Sequence, residues 1–171
     1  NNIGVTYMIG YKNYEKAIEY FEKQIKLCVE VGHLRNYGYG YGNAGDSYAQ
    51  LDSLTKALEY TNQAFEIFKK LGEKRMIGAC HGEYGMIYTK MKSYDSAKEH
   101  FEKAVKIEKE INALELLAWV YEGYARMYKE MNDKENARKM FESAIEVYRK
   151  LGNEEKVVEI RKEIEKLLID N

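Results

Sequence analysis

Three features of the 171-residue sequence predict an all-α fold, a solenoid of four helix-turn-helix repeats closed by a C-terminal capping helix. Ala17, Ala57, Ala97 and Ala137 stand forty residues apart, and other columns keep the same step. Gly32, Gly72, Asn112 and Gly152 punctuate the chain at that interval, each after an apolar residue. Glycine and asparagine are the residues that most readily take the left-handed conformation ending a helix. There is no proline, the residue that breaks helices by removing an amide donor and clashing with the preceding turn. Fixed-period self-similarity of this kind is the mark of a repeat array.

The units divide as 1–33, 34–73, 74–113 and 114–153, followed by a helix over 154–170. In the first unit only about ten residues precede the turn at Asn13, against roughly seventeen in later units. Its leading helix is therefore expected to be short, leaving Ile18 and Phe21 partly uncovered and inviting weak dimerisation through that end. The opening Asn1-Asn2-Ile3-Gly4 falls inside the repeat pattern, so the chain reads as part of a longer protein. In each unit a second turn is marked by natural helix N-caps: Asn13, Asp52-Ser53, Ser93 and Asn132-Asp133. Nine residues before the alanines stand Met8, Tyr48, Tyr88 and Tyr128, and twelve before stand Val5, Gly45, Gly85 and Ala125. Four after them come Phe21, Thr61, Phe101 and Phe141. In the second helix of the third unit, Ala97, Phe101, Ala104 and Ile107 make one apolar face, and Lys98, Glu99, Glu102, Lys103 and Lys106 a solvated one. The last helix sets Val157, Ile160, Ile164, Leu167 and Leu168 against charges, as a terminal cap requires.

Composition narrows the function. Lys and Arg number 27 and Asp and Glu 28, a net charge of −1, without the basic footprint of a nucleic-acid binder or a polybasic membrane helix. Cys28 and Cys80 are too few for a disulfide framework and read as buried thiols in a reducing, cytoplasmic setting. No run is long and apolar enough to span a membrane.

Nothing in the sequence assembles an active site, and no enzyme, cofactor or metal is expected. The spacings His-x-x-x-His and Cys-x-x-Cys are absent. His33 falls after a helix cap, His100 among helix charges, and His81 in a packing column with Tyr41 and Tyr121. A literal G-x-G-x-x-G at Gly40, Gly42 and Gly45 lies inside a first helix. Phosphate binding needs that motif between a strand and a helix N-terminus. Gly42 and Gly82 face away from the packed column, where they either expose backbone to a ligand or simply loosen the helix. Trp119, the sole tryptophan, is either a groove contact or a spacer against the preceding hairpin.

The small and aromatic residues carry a resemblance. Tyr41, Ala44, Gly45, Tyr48, Ala57 and Ala64 recur as His81, Tyr84, Gly85, Tyr88, Ala97 and Ala104, and again as Tyr121, Tyr124, Ala125, Tyr128, Ala137 and Ala144. This pattern resembles the tetratricopeptide repeat over residues 3 to about 152. The period is forty instead of thirty-four, and Val29, Lys69, Lys109 and Arg149 stand where the family has a helix-ending proline. Longer units of this kind are similar to those of kinesin light chains, of cell-polarity adaptors that bind G-protein regulators, and of bacterial peptide-pheromone receptors. The resemblance implies a right-handed superhelix whose first helices line a concave groove, and a protein or peptide as partner. The function implied is that of an interaction scaffold, with a sensor module of a larger regulator or a self-assembling architectural repeat as alternatives.

Helical geometry then names the groove. With Tyr121, Tyr124, Ala125 and Tyr128 packed, Trp119, Glu122, Arg126 and Glu130 face the other way, with Lys129 beside them. The same columns give Met86 and Lys90 in the third unit, and Tyr39, Asp46 and Gln50 in the second, with Asn43 one turn from Asp46. The charges are mixed and leave the sign of the ligand open.

Overall fold

The computed structural model describes residues 2–169, and the side chains of all of these except 2, 29–31 and 168. Helices account for 87% of the described residues, and no strand occurs among them. The chain opens with α1 (Asn2–Val5), which runs into a π-helical turn over Thr6–Gly10. The helix α2 (Tyr14–Val31) completes the first unit. Three hairpins follow in chain order, each a first helix and a second: α3 (Leu34–Gln50) and α4 (Leu54–Leu71), α5 (Lys74–Lys90) and α6 (Tyr94–Glu110), and α7 (Leu114–Glu130) and α8 (Lys134–Lys150), with α9 (Glu154–Ile169) last. Each helix packs chiefly on its neighbours in sequence, with the tightest pairs α3 on α4, α5 on α6 and α7 on α8. Beyond these, α5 also packs on α7 and α3 touches α5, whereas consecutive second helices have at most marginal contact. The first helices therefore converge and make the inner side of the stack.

The forty-residue columns are the core. Ala17, Ala57, Ala97 and Ala137 are fully buried, as are Ala64, Ala104 and Ala144. Phe21, Phe101 and Phe141 fill the space between hairpins. First helices must pass close over these rings, which explains the small residues opposite them. A Cβ added at Gly85 would lie 2.7 Å from the Phe101 ring, and one at Gly45 2.9 Å from Thr61 Oγ1. The last helix buries Val157, Ile160 and Leu167 against Phe141, Ile145 and Tyr148, as a cap should. The Leu168 contact expected there, and the end of that helix at Asp170, fall outside the described residues.

The first unit departs from the expected register. The π turn inserts one residue, so Asn13 donates its backbone N–H to Tyr7 O, six residues back. At the equivalent turns Ser53, Ser93 and Asp133 reach only five residues back, to Tyr48, Tyr88 and Tyr128. Tyr7 therefore takes the column assigned to Met8, and stacks on Tyr20 where the next unit has Tyr48 edge-on to Tyr60. Gly4 takes the place assigned to Val5, its Cα against the Phe21 ring. This slip corrects the expectation of a bare first hairpin, since Phe21 is fully buried and Ile18 is 8% exposed. The apolar surface left at this end belongs instead to Ile3, Ile9 and Tyr11.

The turns repeat at half the period. Gly32, Gly72, Asn112 and Gly152 all take positive φ, and so do Lys12, Asp52, Lys92 and Asn132 midway between them. At the midway turns the N-cap side chain accepts a backbone hydrogen bond only at Asn13, from Lys16, and at Asp133, from Asn136. Ser53 and Ser93 stand at N-cap positions without one.

Candidate functional site

On the inner side, α3, α5 and α7 enclose an open hollow of about 200 Å³. Its wall is built from columns of the repeat. Asp46, Met86 and Arg126 stand forty residues apart, as do Gln50, Lys90 and Glu130. Trp119, Glu122, Gly123, Glu83, Ala49 and Thr89 complete the lining. Eight of the eleven residues expected in a groove thus meet here: Asp46, Gln50, Met86, Lys90, Trp119, Glu122, Arg126 and Glu130.

Three stand outside it. Tyr39 turns its ring edge to Phe68, with centroids 5.4 Å apart, in the core between α3 and α4. Lys129 reaches across to pair with Glu163 on α9 at 3.0 Å. Asn43 does not line the hollow; its backbone oxygen accepts the Ser47 hydroxyl at 2.9 Å. Glu83, like Gly123, is a lining residue that the sequence reading missed. It stands forty residues after Asn43, so the column logic that nominated Asn43 reaches it.

Trp119 fills both roles that were open for it. Its indole lies over Gly82, where an added Cβ would fall 2.4 Å from the ring, and another part of it lines the hollow. Gly82 is thus neither an exposed backbone patch nor a loosening device, but the seat of an aromatic ring from the next repeat. Gly42, its counterpart, has only Ala64 Cβ nearby, at 3.8 Å.

The charges are unequally engaged. Glu122 is buried, accepts the hydroxyl of Tyr148, and pairs with Arg126 at 3.2 Å. Lys90 donates to the Ala49 backbone oxygen at 2.6 Å and pairs with Asp52 at 2.8 Å, linking two repeats. Asp46 accepts the amide of Gln50 at 3.0 Å. Burial raises the pKa of Asp46 against the opposing pull of Gln50 and Lys90. Burial and the Asp46 charge together push Glu83 well above the usual carboxylate range.

A second polar cluster lies apart from this lining. His81 and His100 bring their Nδ1 atoms within 3.0 Å, and His100 also meets the rings of Tyr84 and Tyr88. Burial, then the His100 charge, lowers His81 to about 4, so it packs as a neutral ring. His100, expected among surface charges, is half-buried by this contact. Cys28 and Cys80 are buried free thiols, and burial with the nearby Glu83 pushes Cys80 up to about 12. Among the described residues no three His, Cys, Asp or Glu side chains converge as metal ligands, and no helix is long and apolar enough to cross a membrane.

Solved structures share this architecture. A STAND (signal transduction ATPase with numerous domains) protein from Pyrococcus horikoshii, with a tetratricopeptide repeat sensor, superposes with a TM-score of 0.73 at 21% identity. That match covers 92% of this chain but 24% of the other, so the chain spans about a quarter of that relative's length. TPR-like repeats of a kinesin light chain from Podosopora anserina match with a TM-score of 0.67 at 16% identity, over 98% of this chain and 89% of that one. The apo form of RapI matches with a TM-score of 0.63 at 22% identity, over 93% and 66%. No curated protein matches the sequence. Two family models, each described as tetratricopeptide repeat, match residues 1–28 and 78–150. With the forty-residue columns buried as the family's packing requires, the chain belongs to the tetratricopeptide repeat family.

Proposed function

We propose that this chain is a protein-interaction scaffold that holds a peptide segment of its partner in the hollow across α3, α5 and α7. The observation that carries the reading is the periodic lining itself. One ligand laid across three first helices would meet side chains from equivalent positions of three successive repeats, Asp46, Met86 and Arg126. Trp119 and Met86 offer aromatic and adaptable apolar surface, and Arg126 a planar donor fork. Interfaces concentrate their energy in such residues. The outer faces of the second helices carry exposed pairs such as Lys103 with Glu99, which are worth little. The STAND protein is described as using its tetratricopeptide array as a sensor. A sensor role for this chain would use the same groove.

Selection of 12-residue peptides from a random phage library on the immobilised chain tests the reading. Binders should change the fluorescence of Trp119, the sole tryptophan. Arg126→Ala should weaken them by about 1–3 kcal/mol, the hot-spot scale, and Lys103→Ala should leave them unchanged. The reverse ranking would mean that the convex face binds.

A further inference from the structure

The hollow has a charge imbalance that points to its occupant. Four carboxylates line it, Asp46, Glu83, Glu122 and Glu130, against two cations, Lys90 and Arg126. Both cations are already engaged, Lys90 by Asp52 and the Ala49 carbonyl, Arg126 by Glu122. Asp46 has only the uncharged amide of Gln50 as a hydrogen-bond partner. Glu83 and Glu130 have no hydrogen bond or ion pair among the described residues. We propose that the peptide held in this groove delivers a lysine or arginine side chain between α3 and α5, to be met by Asp46 and Glu83, with Glu130 at the rim. The proposal rests on the groove reading above and adds the chemistry of the ligand.

Three physical arguments support it. Asp46 and Glu83 are half-buried carboxylates with no cation bonded to them, and an incoming ammonium or guanidinium would supply a charge-assisted hydrogen bond in a partly desolvated site. Burial first, and then the neighbouring Asp46 charge, raises the pKa of Glu83, and no cation opposes them. Finally, a basic side chain brings a long apolar stem, for which Met86 and Trp119 form the wall. The indole face adds cation–π attraction. A metal ion is a poorer occupant, because the carboxylates do not converge on a common point. An acidic segment would meet a second layer of like charge.

The same library supplies the test. Peptides that shift Trp119 fluorescence are sequenced, and one is remade with its basic residue replaced by citrulline, a neutral isostere of arginine, or by glutamate. We expect a lysine or arginine at one aligned position. Citrulline should weaken binding at least tenfold, and glutamate should abolish it. Glu83→Gln should weaken the arginine peptide at least fivefold and leave the citrulline peptide unchanged, a difference that a merely structural effect of the substitution would not produce. Peptides that shift Trp119 without a basic residue, or that tolerate citrulline, would overturn the charge assignment and leave the groove standing. A library yielding no peptide that shifts Trp119 would overturn both.

Discussion

Glu108, on α6, is fully buried, and neither of its carboxylate oxygens has a hydrogen-bond partner. It fits only because Gly78 opposite has no side chain. Burial raises its pKa to about 7, with Arg75 pulling weakly the other way. The folded value lies above the ordinary 4.5, so the folded state holds the proton more tightly between the two. The stability tied to that proton is present below about pH 4.5 and is lost as pH rises through 7. Glu108→Gln should therefore raise stability at pH 8 by about 1–3 kcal/mol and make little difference at pH 4.5. Urea midpoints at the two pH values check this, and equal differences at both would show that the charge is not the cause. Thr61 poses a smaller version of the same problem. It occupies the phenylalanine column with a buried hydroxyl that has no partner. Thr61→Val keeps the shape and removes the orphan donor, so it should stabilise the fold by about 1 kcal/mol, seen as a higher melting temperature. At this scale the sequence was readable where a residue repeats, as with the alanines and phenylalanines. It was silent on Glu108, whose burial follows from the close approach of α5 at Gly78 and not from any pattern along α6. Glu83 lay between these cases, on a legible column that had been followed through Asn43 alone.

The turns show how elements are set. At Gly72 nothing lies within 4 Å of an added Cβ, so Gly72→Ala isolates the backbone term. Its φ of 69° should make that substitution cost about 1 kcal/mol with no steric contribution. Lys92 is the converse, a side-chain-bearing residue at φ 59°. Lys92→Gly should stabilise by about 0.5–1 kcal/mol, or roughly 2 °C in melting temperature for a chain of this size. If Lys92→Gly destabilises, entropy lost from the unfolded chain outweighs the strain. The glycine turns were legible because glycine advertises positive φ. The lysine turns were not, since Lys12 and Lys92 are forced into it by the helices on either side. The π turn was hidden for another reason. Columns counted at a fixed step cannot register one inserted residue, although Met8 among tyrosines and Val5 among small residues were the trace it left.

Across the whole molecule, stability should be local, because each helix packs mainly on its neighbours in sequence. In such an array, loss at one unit spreads to the adjoining interface and fades beyond it. The capping helix gives a clean place to test this. Ile160 is 2% exposed, and its cluster joins α9 to Phe141, Ala144 and Tyr148 on α8 and to Leu117 and Tyr121 on α7. Ile160→Ala should cost about 2–4 kcal/mol of packing at that end. The Lys129–Glu163 pair, which is partly exposed, is too weak to hold the helix in its place. Amide hydrogen exchange should accelerate in α8 and α9, less in α7, and hardly at all in α3 and α4. The groove wall on α7 would be disturbed chiefly at Glu122, whose carboxylate is held by Tyr148 from α8 and lies 3.9 Å from Lys156 on α9. A uniform rise in exchange from α2 to α9 would mean that the stack unfolds as one cooperative block. Binding in the groove would then report on the stability of every repeat, not only of the three that line it.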